Sequence, residues 1–353
     1  MEGFRPVEAA SECLEANFHF GKLYHIFFIG ATGKYDIILK MISDTILDAI
    51  GHTPLVRLHR MIGDDSAEVL VKFEALNVGG SIKTRTAWNM LCEAEAKGLV
   101  TRDSVIVEPT SGNQGIGLAL VGAVRGYRTV IVMPDSVSEE RRKLMRHYGA
   151  EVVLVHDAGN IGDAIAECVR VADEMRKSDP KVYVPQQFSN PANPAAHKHH
   201  TALEIMEQAA KPIHGFCSGI GTGGTLSGIG EVLKAQNPEI EIWAVEPENA
   251  AILAGGTVGT HLQMGIGDGL IPDNLNTKIY SHICVVSDED ALDTARDLAR
   301  KEGLMAGISS GTNVFAALKL ARRLGPGKTV VTVLPDTAER YFSTPLFDEP
   351  VGK

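Results

Sequence analysis

The chain has 353 residues, 44% of them hydrophobic and 22% charged, with a formal net charge of −10. This length can bury a sizeable core, in two domains or one large one. The acidic balance weighs against nucleic acid and anionic membranes as partners, and no apolar run reaches the length of a membrane span.

Residues 1–45 read as an N-terminal extension with no function assigned, since the first forty show no clear period. Residues 23–30 are apolar, but too few to span a membrane and too far in for a signal peptide. The five cysteines, Cys13, Cys92, Cys168, Cys217 and Cys284, are scattered and lack C-x-x-C spacing. They read as core thiols in a reducing compartment, and the protein as cytoplasmic.

From residue 46 the pattern sharpens. Residues 54–58 and 69–73 read as two strands around a turn at Gly63-Asp64-Asp65. A helix is expected from just after Ser81 to about Lys97, ended by Gly98. Strands at 104–107, 129–133 and 152–155 then alternate with helices at 115–124, 139–148 and 161–176. The alternation predicts right-handed βαβ units, and the continuous β-branched strands predict a parallel sheet covered on both faces. Residues 186–194 (QQFSNPANP) read as a crossing between two halves. The second half has expected strands at 215–217, 240–245, 283–286 and 329–334, and helices at 225–235, 288–302 and 312–324. The expected fold class is α/β: two domains, each a mostly parallel twisted sheet flanked by helices.

Several loops of this pattern carry chemistry. Gly219-Ile220-Gly221-Thr222-Gly223-Gly224 satisfies G-x-G-x-x-G between a strand and a helix. Glu246 ends the next strand, where a ribose-binding carboxylate would lie, so the loop alone is a nicotinamide-dinucleotide fingerprint. Its firmer content is a phosphate site at a helix N-terminus, with the Thr222 and Thr225 hydroxyls favouring a compact phosphomonoester. Lys83 stands just inside a helix start, after a glycine pair, with Ser81 as N-cap. The positive helix end disfavours the ammonium form, which lowers the lysine pKa and suits it to imine formation. Residues 108–115 (EPTSGNQG) join a strand to a helix and read as an anion site sized for a carboxylate. Gly307-Ile308-Ser309-Ser310-Gly311 precedes another helix, with two hydroxyls available. His197, His199 and His200 have helical spacing and no partner cysteines, so no metal is expected there.

Five motifs stand in order: Ser81-Ile82-Lys83, Thr110-Ser111-Gly112-Asn113, the 186–194 segment, Gly221 to Thr225, and Gly307 to Gly311. With them the chain resembles, over residues 46–347, the cysteine synthase and cystathionine β-synthase family of fold-type-II pyridoxal-phosphate enzymes. The resemblance implies pyridoxal 5'-phosphate as cofactor and a tryptophan synthase β-like fold. Residues 46–188 would form an N-terminal α/β domain with the Schiff-base lysine and substrate loop, its early strands free to pair with the other domain. Residues 189–347 would form a C-terminal α/β domain with the phosphate loop. The implied roles follow the motifs. Lys83 forms the imine and acts as acid and base, Asn113 bonds the cofactor's ring oxygen, and Ser309 faces the pyridine nitrogen. Gly221, Thr222, Gly223, Gly224 and Thr225 cradle the phosphate. Thr110, Ser111, Gln114 and Gln187 receive the substrate carboxylate.

A neutral serine at the pyridine nitrogen does not favour full ring protonation, so loss of a β-substituent competes well and leaves an aminoacrylate open to a nucleophile. The implied reaction is that of a cysteine synthase-like enzyme, in which O-acetylserine or a related donor plus sulfide gives L-cysteine. The implied assembly is a homodimer. The alternative is a lyase that consumes L-cysteine and releases hydrogen sulfide, with serine or lanthionine as product. Rivals from other classes are a cofactor-binding partner protein without turnover and a nicotinamide dehydrogenase.

Four positions depart from the family pattern. Val78 stands where the common cysteine synthase has proline, Thr84 where it has aspartate, and Gln114 where it has threonine. In Gly265-Ile266-Gly267-Asp268-Gly269, which resembles the glycine-rich loop facing the substrate, Asp268 adds a carboxylate where a small residue is usual. Asp268 would orient or deprotonate a water for the lyase reaction, or else hold the loop by an Asx-type turn. The last motif lies near the chain's end, so no C-terminal regulatory domain is expected.

Overall fold

The computed structural model describes residues 42–348. Most of the N-terminal extension, Cys13 included, lies outside the described residues. Strand β1 (Leu55–Arg57) pairs antiparallel with β2 (Glu68–Phe73), Val56 opposite Val71. The chain continues through α1 (Lys83–Ala96), β3 (Val105–Pro109), α2 (Asn113–Arg125), β4 (Arg128–Pro134), α3 (Glu139–His147), β5 (Glu151–Val155), α4 (Ile161–Ser178) and β6 (Val182–Tyr183). Then come α5 (Ala192–Ala196), α6 (Ala202–Ala209), β7 (Gly215–Gly219), α7 (Gly224–Gln236) and β8 (Glu241–Pro247). The last elements are β9 (His282–Val286), α8 (Asp288–Asp297), α9 (Ile308–Leu324) and β10 (Thr329–Leu334).

The strands form two sheets. The four-stranded one has the order β5-β4-β3-β6 and is wholly parallel. The six-stranded one has the order β1-β2-β10-β7-β8-β9, parallel except for β1. Strands β1 and β2 thus join the sheet of the second half through β10, with Val331 beside Leu70.

Alternation along single strands explains their unbroken apolar sequences. Ile131 and Met133 of β4 face one core, Val130 and Val132 the opposite one. In β10, Val330 and Leu334 enter one core, Val331 and Val333 the other. Each sheet is covered on both faces, so both residue sets of each strand must be apolar. Cys92, Cys168, Cys217 and Cys284 are buried and not disulfide-bonded. Among the described residues no helix is long and apolar enough to cross a membrane.

Three local expectations need correction. Helix α9 begins at Ile308, not at 312, so Ser309 and Ser310 sit in its first turn rather than before it. A Cβ at Gly311 would lie 1.9 Å from the Ala291 carbonyl oxygen, so this glycine serves the packing of α9 on α8. The 186–194 segment is more than a crossing, because α5 starts at Ala192 and runs through a wider turn at His197–Thr201 into α6. Pro191 and Pro194 fall at the helix start, where a missing N–H costs nothing. The two-residue strand β6 was also not anticipated.

Both sheets reverse their winding direction, and this places the site. From β3 the chain moves outward to β4 and β5, then returns to the other side of β3 with β6. From β7 it moves outward to β8 and β9, then returns to the other side of β7 with β10. Crevices open beyond the carboxyl ends of strands at such switch points. The loops after β3, β6, β7 and β10 therefore face a shared cleft.

Candidate active site

Residues from both halves of the chain line that cleft, whose space is about 740 Å³ with the open solvent at its mouth included. Lys83, Thr110, Ser111, Asn113, Gln114 and Gln187 line it from the first half of the chain. Gly221, Thr222, Gly223, Thr225, Asp268 and Ser309 line it from the second. Of the residues expected at the site, Gly224 does not line the cleft. A Cβ at Gly224 would meet Asn193 Oδ1 at 2.1 Å, so its role is to admit Asn193 to the loop.

Lys83 is placed by the segment before it. Gly79 and Gly80 both have positive φ, 72° and 70°, which folds the chain sharply into α1. Ser81 is extended, and its hydroxyl accepts the Lys83 N–H at 3.3 Å, one residue before the helix cap at Ile82. Helix α1 then packs on α2 at Gly117, where a Cβ would lie 3.0 Å from Ala87 Cβ and 3.1 Å from the Lys83 carbonyl oxygen. Nζ of Lys83 donates to Thr222 Oγ1 at 3.4 Å, across to the glycine-rich loop. Its pKa is lowered to about 8, first by burial, with the Asp268 carboxylate acting against that shift. The direction agrees with the sequence reading, but burial rather than the helix dipole is the leading cause. Burial likewise raises the Asp268 pKa, against the pull of Lys83.

Helices α2, α7 and α9 open on the cleft without side-chain caps. The N-caps of α2, α7 and α9 are Gly112, Gly223 and Gly307, and none offers a side-chain acceptor. Helices α4 and α8, which do not line the cleft, are capped by Asn160 and Ser287. First-turn N–H groups without a cap are donors for an anion. Gly221 tightens the loop ahead of α7: a Cβ there would lie 2.5 Å from the Gly265 carbonyl oxygen. Thr222 Oγ1 accepts from both Lys83 Nζ and Asn193 Nδ2, the latter at 3.0 Å, so its own proton is left to donate elsewhere. Thr225 Oγ1 lies 3.4 Å from His197 Nε2, which gives the buried His197 a partner in this loop.

The opposite loop brings its own hydroxyl and amide groups to the cleft. Thr110 Oγ1 accepts the Gly112 N–H at 3.0 Å. Gln114 is buried; its Oε1 accepts the Thr86 hydroxyl at 2.7 Å, while its Nε2 has no partner. An orphaned buried amide donor facing a cleft fits a ligand acceptor. Gln187 is fixed by Glu108, whose two carboxylate oxygens accept the Gln186 and Gln187 N–H groups at 3.0 and 2.9 Å. Burial pushes the Glu108 carboxyl up to about 8. Val78 and Thr84 do not line the cleft, so of the four departures only Gln114 and Asp268 can touch a substrate.

Glu246 does not serve a ribose. It is buried and accepts the Leu253 and Ala254 N–H groups at 2.9 and 3.1 Å, capping a turn. Sequence reasoning missed Asn193, Arg141 and Asp336. Their importance comes from contacts with residues far along the chain, and no local motif announces it. The phosphate-sized loop, the orphaned amide and the lysine of lowered pKa together fit pyridoxal phosphate with an amino acid beside it.

The chain matches the family model for pyridoxal-phosphate dependent enzymes over residues 46–336. It is 48% identical over 305 residues to the cysteine synthase of Staphylococcus aureus (strain Mu50 / ATCC 700699), covering 86% of this chain and 97% of that protein. A solved structure of an O-ureido-L-serine synthase mutant, bound to O-ureido-L-serine, matches with a TM-score of 0.83 at 43% identity, covering 88% of this chain and 96% of that one. A hydrogen sulfide-producing enzyme from Fusobacterium nucleatum matches with a TM-score of 0.81 at 39% identity, covering 85% of this chain and all 100% of that one. The chain belongs to the cysteine synthase and cystathionine β-synthase family of pyridoxal-phosphate dependent enzymes, whose chemistry is β-replacement on a small amino acid.

Proposed function

We propose that this protein makes L-cysteine from an activated L-serine, such as O-acetylserine, and sulfide. The observation that supports this reading is that Lys83 Nζ bonds Thr222 Oγ1 in the loop ahead of α7 and lines one cleft with Thr110, Ser111 and Gln114 of the loop ahead of α2. When bound, pyridoxal phosphate supplies the electron sink that acidifies the α-proton and eases loss of the β-substituent. The residues of this chain do the rest. Lys83 would hold the cofactor and would move the α-proton of the substrate. Gly221, Thr222, Gly223 and Thr225 would hold the phosphate with backbone N–H and hydroxyl donors, and Gly224 makes room for Asn193, which bonds Thr222. Asn113 would hold the ring oxygen, and Ser309 would offer the pyridine nitrogen a neutral hydroxyl. Thr110, Ser111, Gln114 and Gln187 receive the substrate carboxylate and orient the Cα–H bond towards Lys83.

The test is to give the cofactor-loaded protein sulfide with O-acetyl-L-serine, O-phospho-L-serine or L-serine, and to follow L-cysteine. Cysteine from one of the three donors is the expected result; none from any of them overturns the reading.

Asp268 favours a second reading, in which L-cysteine is the donor, sulfide leaves and water attacks. A buried carboxylate of raised pKa that faces the reacting lysine is suited to take a proton from water. With L-cysteine alone, this reading expects sulfide together with serine. Asp268→Ala should abolish the serine and spare cofactor attachment at Lys83, and an unchanged product distribution would sink the idea. We further propose a cytoplasmic homodimer, with the cofactor between residues 46–188 and 189–347. Light scattering at the mass of a single chain would exclude the dimer.

A further inference from the structure

Behind Asn113 lies a buried ionic cluster that the proposed chemistry does not use. Asp336, two residues beyond β10, is completely buried. Its Oδ2 accepts the Asn113 Nδ2–H at 2.7 Å and the Tyr341 hydroxyl at 2.8 Å, with an Arg141 nitrogen 3.6 Å away. On the other end of the same amide, Arg340 donates to Asn113 Oδ1, and through its second terminal nitrogen to the Gly79 carbonyl. Arg141 and Arg340 are both buried, and the Arg141 guanidinium stacks over the Tyr341 ring at 4.5 Å. The carboxylate also lies beside Gly307 at the N-terminus of α9, where a negative charge is favoured.

An asparagine amide can be turned end for end at little cost when its neighbours both donate and accept. These neighbours do not. A carboxylate accepts and a guanidinium donates, so Asp336 fixes the nitrogen end and Arg340 the oxygen end. The nitrogen carries two hydrogens, and Asp336 uses one. The other is left for the cleft that Asn113 lines. The reversed amide would set its oxygen against the carboxylate and its N–H groups against the guanidinium.

We propose that Asp336 and Arg340 are positioning residues that lock the Asn113 amide with one N–H turned to the cofactor's ring oxygen. The proposal rests on the assigned contact between Asn113 and that oxygen. Arg340 adds a second constraint, because its bond to the Gly79 carbonyl ties the turn that leads into Lys83 to the same amide. The lysine and the ring oxygen's donor are thereby keyed to each other by one side chain.

The test compares cofactor-loaded Asn113→Ala, Asp336→Asn and Arg340→Lys, read by the visible absorption band and by cofactor affinity. Each single variant is expected to move the band in the same direction. Each is expected to raise the cofactor dissociation constant about tenfold, the equivalent of one lost hydrogen bond. In the Asn113→Ala background, Asp336→Asn and Arg340→Lys should move the band no further, because they act through Asn113. A band moved by Asn113→Ala but untouched by the other two, or shifts that add in the double variants, overturns the proposal and leaves the Asn113 contact standing. A band unmoved by Asn113→Ala removes that contact, and the proposal with it. Arg340→Lys keeps the charge but cannot span both acceptors, so it decides the matter even if Asp336→Asn does not fold.

Discussion

Lys83 and Asp268 pull on each other across the cleft. Burial brings the lysine to about pH 8, and the carboxylate holds it from falling further. In the cofactor-free chain, labelling of Lys83 by an amine-selective reagent should therefore rise with pH around a midpoint near 8. Removing the negative charge with Asp268→Asn should shift that midpoint downwards; mass spectrometry of the labelled peptide measures both, and an unmoved midpoint would contradict the coupling. Gly221 has no room at all. Its Cβ would press on the Gly265 backbone, which cannot swing aside as a side chain would. Gly221→Ala should weaken cofactor binding by tenfold or more, from an overpacking cost of about 1–3 kcal/mol, as read by absorbance titration. At this scale the lysine, the asparagine and the two anion loops were legible because each is a local pattern. Asp336 and Arg340 were not, since their bonds to Asn113 span 223 and 227 residues of sequence.

Helix α1 is held in place by a buried ionic web. Arg85 donates to both oxygens of Glu74 at 2.9 Å and to Glu204 at 2.6 and 2.7 Å, and Lys72 lies 2.6 Å from the same Glu204. Glu204 has its pKa lowered to about 2: burial would raise it, but the bonds and charges of Arg85 and Lys72 outweigh that. A carboxylate with a lowered folded-state pKa contributes stability above its ordinary value near 4.5, and that contribution is lost as pH falls towards 2. Glu204→Gln should lower stability at neutral pH and flatten the acid side of the stability curve. Urea unfolding at several pH values measures it, and an equally steep acid limb in the variant would refute the assignment. Strands and helices were legible where they alternate with a clean stop, as at Gly98, whose φ is 68° just past α1. They were not where glycine served packing, at Gly311, and where proline opened a helix, at Pro191. The same residue types carry both meanings, and only the neighbouring element tells them apart.

At the scale of the molecule, the alternation of strands and helices announced an α/β fold with parallel sheets. It did not announce strand order. That β10 lies between β2 and β7 is a long-range fact, with Thr329 paired to Glu68. Nothing in a periodic pattern encodes a partner 261 residues away. A chain cut after α9 keeps nine of the ten strands but loses the one that joins β2 to β7. It should show no cooperative unfolding transition for the larger sheet by circular dichroism in urea. A normal transition would mean that β2 and β7 can pair without β10.

The central place of the last strand also sets an order in time. The smaller sheet draws on one continuous stretch, residues 105–183, and has all its strands once that stretch has left the ribosome. The larger sheet must wait until β10 is made, and β2 lacks its inner neighbour until then. The segment ahead of Lys83 waits too, because the Ile82 N–H bonds the Pro335 carbonyl and Ser81 bridges to Asp336. A nascent chain should therefore be unable to capture its cofactor until β10 and the residues just after it have been made, and until then β1 and β2 need shelter from neighbouring chains.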